Sequence, residues 1–388
     1  MATTGTDPGR VLDLVRHGLA STRAELNEQL GWSRLTIARR LDQLVGAGLL
    51  MAAGSSGSTG GRPPESFQVD PNFGTLLVAD IGGSKSRVAV ADFAGRLLVS
   101  FSRPIDVAAG PAEVLGWIRK QMRRLLAQAG RSPADVVALG IGMPGPVDAR
   151  TGRVAHPSIM PGWDGVDVGA ALVADYPQAA VVLDRDVNIM ALGEYRSSWR
   201  DYPNIVVVKI GHGIGCGLVL RGEVYRGAIG MAGDIGHLYR GTGRPCRCGR
   251  IGCLEASAAG WAIAGELQAA GRPAATSDDV ADLAMSGDEL ALRLVAEAGT
   301  QVGEALADVV CVTNPSIVVV GGNLARVGAP LLDPLRSSLR ARAPETSIAG
   351  LEVLAARLGI DAGITGASLS AQDAACRPGR LEEALRRA

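Results

Sequence analysis

The chain has 388 residues, too many for one ordinary domain, so two or three are expected. Its 39 Lys and Arg balance 39 Asp and Glu, which excludes a strongly basic nucleic-acid-coating protein and leaves any DNA contact to a local patch. At 47% hydrophobic and 20% charged residues it is not a disordered chain, and it can build a large core.

The head comes first. Helical patterns over 10–17, 22–30 and 33–47 are separated by polar or glycine breaks; Ser21 can cap the second, and Gly31-Trp32 turns the chain into the third. The third carries Ser33, Arg34, Thr36, Arg39 and Arg40 over two turns, the mix that contacts phosphates and base edges. Leu35, Ile37, Ala38, Leu41, Leu44 and Val45 are expected to supply its core face. Residues 49–51 and 67–69 can pair as a wing around the Gly/Ser/Pro-rich stretch 54–64, where Arg62 suits a thin segment entering a narrow minor groove. A winged helix–turn–helix is expected; the plainer alternative is a small helical packing domain followed by a flexible linker.

From Thr75 the texture changes. Strands are expected at 76–81, 86–92, 96–105 and 136–141, with a helix over 111–129 between the last two. A strand at 180–183 leads into a helix starting near Val187. The second half repeats the theme, with strands at 205–210, 215–220 and 317–320 and helices over 255–270 and 288–312. Two β-rich halves with crossing helices imply a two-lobed α/β unit with a cleft between the lobes. The expected division is a head over 1–70 and a second unit over 71–388. Within the latter, lobe one covers about 71–188 plus a C-terminal helix and lobe two about 189–360. No run of about 18 apolar residues occurs and no signal pattern opens the chain, so it reads as cytoplasmic with no membrane partner.

Three motifs carry chemistry. Asp80-Ile-Gly82-Gly83-Ser84-Lys85 sits between two strands; its glycines allow backbone amides to approach a phosphate, and Asp80 could hold a metal-bound water, although a plain hairpin turn has the same look. Gly211-His212-Gly213 is a second such loop, and two of them facing one cleft would clamp a nucleotide. Asp184-Arg185-Asp186 follows a buried strand, where Asp186 could take a proton from a substrate hydroxyl or simply cap the helix. His237 with Cys246, Cys248 and Cys253 makes one imidazole and three thiols, a closed tetrahedral set for a structural zinc in a reducing compartment. Cys216, Cys311 and Cys376 read as small core residues, and His17 and His156 as surface or turn residues.

With these residues assembled, the chain resembles the transcription-regulator branch of the ROK family (repressors, open reading frames, kinases). The matching stretches are 80–85, 140–148, 161–163, 186–188, 232–237 and 246–255, together with Thr59-Gly-Gly-Arg-Pro63 in the wing. The resemblance implies a winged helix–turn–helix followed by a two-lobed, actin-like (ribonuclease H-like) ATPase-type sugar-kinase fold. It implies that Asp186 stands where family kinases keep their catalytic base. Gly145, Arg185, Asp234, His237 and Glu255 would then join Asp186 around a sugar, with His237 serving zinc as well. Departures from the family pattern fall at Asp184, Arg185, His212 and Asp234, usually Glu, Asn, Thr and Glu, and each touches sugar or ATP contacts. ATP with Mg2+ is therefore not expected to support efficient phosphorylation. Arg185 could hold an anionic effector bidentately or pair with Asp184 or Asp186. The implied function is a sugar-responsive repressor of carbohydrate uptake or catabolism genes. Its expected partners are an operator in double-stranded DNA and a sugar or sugar-phosphate effector, bound as a homodimer or homotetramer. The alternative is an ATP-dependent, glucokinase-like hexose kinase.

Overall fold

A computed structural model describes residues 7–53, 65–83, 85–148, 151–155, 157 and 160–387. The expected wing tip with Arg62, and Ser84 and His156, lie outside the described residues.

The head is three helices and a hairpin: α1 (Pro8–Arg16), α2 (Arg23–Leu30), α3 (Arg34–Gly46), β1 (Leu50–Ala53) and β2 (Ser66–Val69). Thr22, not Ser21, caps α2. The chain is extended at Thr22, whose hydroxyl accepts from Glu25 N while the Glu25 carboxylate takes the Ser21 and Thr22 amides. Ile37, Leu41 and Leu44 lie buried along one stripe of α3, whereas Leu35 and Val45 are exposed. At 100° per residue, Leu35 falls about 200° from Ile37, on the opposite side of the helix. β1 and β2 pair antiparallel, Leu50 opposite Val69 and Ala53 opposite Ser66.

Lobe one follows as β3 (Thr75–Ile81), β4 (Lys85–Asp92), β5 (Leu97–Pro104), α4 (Pro111–Gln128), β6 (Val136–Met143), the small pair β7 (Val147–Asp148) and β8 (Arg153–Val154), α5 (Val168–Val173) and β9 (Ala180–Arg185). Its sheet runs β5-β4-β3-β6-β9, antiparallel in its first three strands and parallel in the rest. Trp163 is wholly buried in this lobe and donates its Nε1–H to the Val107 carbonyl at 2.9 Å.

Helix α6 (Asp186–Ser198) then carries the chain to lobe two: β10 (Ile205–Ile210), β11 (Ile214–Leu220), β12 (Glu223–Tyr225), α7 (Glu255–Ala258), α8 (Gly260–Ala269), α9 (Ser277–Met285), α10 (Glu289–Thr313), β13 (Ile317–Gly321), α11 (Ala329–Arg342), α12 (Glu345–Ile348) and β14 (Glu352–Ala355). The sheet order β12-β11-β10-β13-β14 repeats that of lobe one strand for strand. The single helix expected over 255–270 is two, broken at Ala259, which is extended. The break frees Gly260 N to donate to Gly211 O at 2.8 Å and Trp261 N to His212 O, so it braces the second glycine loop. Cys216 is buried and Cys376 half-buried, but Cys311 is exposed on α10, off its apolar stripe.

The chain ends in α13 (Ala362–Ala375) and α14 (Pro378–Arg387). α13 lies along α6 and across β3, β6 and β9 of lobe one. Glycines at 193, 363 and 366 make this approach possible: a Cβ on Gly366 would run into the Ile189 carbonyl of α6. Gly366→Ala is therefore expected to cost about 1–3 kcal/mol, read as a lower urea midpoint; an unchanged midpoint would show that the two helices are not so tightly set. Val11 and Leu12 of the head share one apolar cluster with Leu76, Phe93, Ala371 and Leu381, so head and lobe one pack as a unit.

Candidate functional site

A cleft of about 950 Å3 opens between the lobes. The two glycine loops, the start of α6 and the 3-10 turn Ile235–His237 face it. Asp80, Gly82, Gly83, Lys85, Gly145, Arg185, Asp186, His212, Gly213, Asp234, His237 and Glu255 all line it; Gly211 stands just behind, holding Gly260. Sequence positions 80 and 255 are thus brought to one cavity by the repeated strand order.

At the end of β9 the acidic cluster is fully engaged. Asp184 is buried and accepts from Asn188 Nδ2 at 2.7 Å, from Arg185 N and from Arg226 Nε at 2.8 Å. Asp186 accepts its neighbour Val187 N on Oδ1 and Lys209 Nζ on Oδ2, each at 2.8 Å. The Arg185 guanidinium is buried against Ala232 O at 2.9 Å and Asp234 Oδ1 at 3.3 Å. It pairs with neither Asp184 nor Asp186, because at the end of a strand successive side chains leave on opposite faces. Glu255 opens α7 and spends one oxygen on Ile214 N, the other on Trp261 Nε1. Asp186 and Glu255 thus line the cleft with their carboxylates held in fixed orientation, while Asp184 lies behind them.

The phosphate-type loops meet face to face, but not around empty space. The His212 ring lies against Gly83, where a Cβ would meet its Cδ2 at 2.9 Å, and its Nε2 sits 2.8 Å from Arg247 Nη1. Burial first, and then the Arg247 charge, lower the His212 pKa, so the ring is neutral in neutral solution. Arg247 in turn stacks over Trp261 at 4.5 Å.

Below the cleft, His237, Cys246, Cys248 and Cys253 each offer one ligand atom, all within 4.8 Å of one another, a group that can hold a metal ion. Cys246 Sγ to His237 Nδ1 and Cys248 Sγ to Cys253 Sγ are both 3.7 Å. That is about the edge of a tetrahedron with ~2.3 Å metal–sulfur bonds. Gly249 and Gly252, at φ of 85° and 82°, make the turns that fold the three sulfurs together. His237 and Cys248 also line the cleft, so the cluster forms part of its wall.

Sequence reasoning did not single out Lys209, which lines the cleft, nor Arg226, Arg247 and Trp261, which hold Asp184, His212 and Glu255 from behind. Lys209 had left a signal: it is one of three lysines in an arginine-dominated chain, set in the otherwise apolar strand Ile205–Ile210. In the head, Arg34, Leu35 and Arg39 are exposed on α3, while Ser33 and Thr36 engage each other through their hydroxyls at 2.8 Å. Arg40 Nη1 reaches Gln43.

The sequence profile of the ROK family matches residues 77–374. The chain belongs to the ROK family. Glucokinase of Halalkalibacterium halodurans is 32% identical over 304 residues, 74% of this chain and 92% of its own. The xylose repressor of Bacillus subtilis is 25% identical over 349 residues, 89% of this chain and 90% of its own. A solved ROK family transcriptional regulator, a homolog of the E. coli MLC protein, superposes with a TM-score of 0.79 at 24% identity, covering 98% of both chains. The ROK relatives thus include kinases that match the two lobes and regulators whose fold extends through the head. This ROK chain has the mixed α/β, two-sheet, actin-like architecture of both. Among the described residues no helix is long and apolar enough to cross a membrane.

Proposed function

We propose that this protein is a sugar-responsive transcriptional repressor of carbohydrate uptake or catabolism genes. The observation that carries it is the junction of head and cleft: α6 begins at Asp186 in the cleft and carries in its last turn Arg196, bound to the same Asp373 that takes Arg16 of the head. A ligand that shifts the lobes thereby acts on the orientation of the DNA-reading helix. The xylose repressors among the relatives support the same reading.

Ser33, Arg34, Thr36, Arg39 and Arg40 of α3 read one half of a pseudo-palindromic operator, with exposed Leu35 placed for a thymine methyl, and Arg62 of the wing enters the minor groove. A homodimer or homotetramer supplies the second half-site. The effector is an uncharged sugar held by Gly145, Asp186, Asp234, His237 and Glu255. Arg185 and Lys209, beside the acids of the cleft, are each matched by a carboxylate, which favours an uncharged sugar over a sugar phosphate at that end of the cleft. The metal is zinc, bound by His237, Cys246, Cys248 and Cys253 as a closed structural site.

Fluorescence anisotropy on DNA from the gene's own upstream region, titrated with sugars and their phosphate esters, tests this. Salt-dependent, sequence-selective binding altered by one neutral sugar is expected. Arg34→Ala should weaken that binding by about 5–150-fold, the worth of one base-edge contact at 1–3 kcal/mol. Unaltered operator affinity in this variant would refute the recognition-helix assignment. The glucokinase relatives favour one rival reading, an ATP-dependent hexose kinase with Asp186 as base. Sugar-dependent ATP turnover without operator binding would establish it.

A further inference from the structure

Lys209 stands on β10, two residues before Gly211 of the second glycine loop, and its direct partners on the flanking strands are Gly215 and Gly321. Neither partner has a side chain, so the lysine stem has room on both sides to reach the cleft. Its ammonium donates to Asp186 Oδ2 at 2.8 Å, and Asp80 of lobe one lies within electrostatic reach. Burial alone would lower the Lys209 pKa, but the charges of Asp186 and Asp80 outweigh it and push it up to about 12. Asp80 has its Oδ1 enclosed with no hydrogen-bond partner among the described residues. Asp80 on β3 and Asp186 at the start of α6 both line the cleft, and carboxylates so placed are what a divalent cation uses beside a phosphate.

We propose that the Lys209 ammonium, bonded to Asp186 and with Asp80 within electrostatic reach, takes the place of a divalent metal beside these two acids, so that the cleft takes its ligand as a receptor, without metal or nucleotide. The inference rests on the receptor reading above and deepens it. Magnesium requires six oxygens at about 2.0–2.1 Å in near-octahedral array. An ammonium already bonded to Asp186 Oδ2 occupies the space and cancels the charge that would attract the ion. His212 acts in the same sense on the phosphate side, its ring filling the gap against Gly83. The residues present therefore do not fit Mg2+ with ATP. Lys209 is a specificity-determining residue: it keeps Asp186 as an ordered acceptor for a sugar hydroxyl.

The test is a Mn2+ titration of the full-length, zinc-loaded chain, followed by electron paramagnetic resonance. The wild type is expected to bind no Mn2+ below about 1 mM at this site, the weak end of carboxylate cation sites. Lys209→Ala should bind it at least tenfold more tightly, and Asp80→Asn added to that variant should abolish the gain. A folded Lys209→Ala with no gain overturns the proposal. Lys209→Thr, β-branched and suited to a strand, takes its place if the alanine variant does not fold. Wild-type Mn2+ binding below millimolar that Asp80→Asn removes also overturns it. Failure of operator binding alongside the expected Mn2+ pattern would sink the repressor reading alone.

Discussion

Replacing Cys253 with serine is expected to lower the melting temperature by about 4–8 °C and to release the zinc proposed for its site. Cys253 is 2% exposed and immediately precedes Leu254, itself buried, and Glu255. Losing one of four ligands unties the loop from His237 to Cys253, and structural zinc contributes binding energy directly to the fold. A loss of roughly 4 kcal/mol, at a degree or two per kcal/mol for a unit of this size, gives that range. The effect reaches the cleft, because Glu255 and His237 are both part of its wall. Scanning calorimetry with metal analysis by mass spectrometry checks it. A variant melting within one degree of the wild type, or a wild type containing no zinc, would contradict the structural-metal assignment.

The second large effect lies at the junction of head and cleft. Asp373 on α13 accepts Arg196 Nη1 and Nη2 on its two oxygens, each at 2.8 Å, accepts Arg16 of α1 as well, and has His17 Nε2 at 3.9 Å. Burial alone would raise its pKa. The two hydrogen bonds from Arg196, the charges of Arg196 and Arg16, and His17 beside them hold the carboxyl well below the usual range. Asp373→Asn leaves two guanidinium groups crowded without their counter-ion, and a loss of about 2–4 kcal/mol at pH 7 is expected from urea unfolding. The sign with pH follows from the depressed value. The wild-type advantage is full above the unfolded carboxyl's pKa of about 4 and is lost progressively as the pH falls toward the much lower folded value, so the gap should narrow below pH 4 without closing at pH 3. A difference under 0.5 kcal/mol at pH 7, or one that widens on acidification, would show that Asp373 is not the latch.

Much of this molecule is local and therefore readable. The head's helices follow from caps and apolar spacing, with Ser33 opening α3 and Ile37, Leu41 and Leu44 forming its stripe. Core strands such as Ile317–Gly321 are apolar runs bounded by glycine. The set His237, Cys246, Cys248 and Cys253 is compact in sequence, and its glycines at 249 and 252 are needed for the turns. The loops at Asp80 and Gly211 and the acids at 184–186 were visible because polar residues at strand ends tend to face clefts.

What pattern reading missed depended on packing. The C-terminal helix expected for lobe one is α13, but being rich in Ala, Ser and Gly and buried on most sides it carries little periodicity, so neither its bounds nor its close approach to α6 could be read from pattern. Leu35 was counted as core from its type, whereas its angular position on α3 puts it outside. The pairing of Arg185 with Asp234, of Lys209 with Asp186 and of Arg16 and Arg196 with Asp373 joins residues 23 to 357 positions apart. Sequence by itself thus determined the elements, the family's motifs and the metal set, because each depends on neighbours along the chain. Only the tertiary structure decided which charges are spent on one another, since ion pairing depends on distance in space.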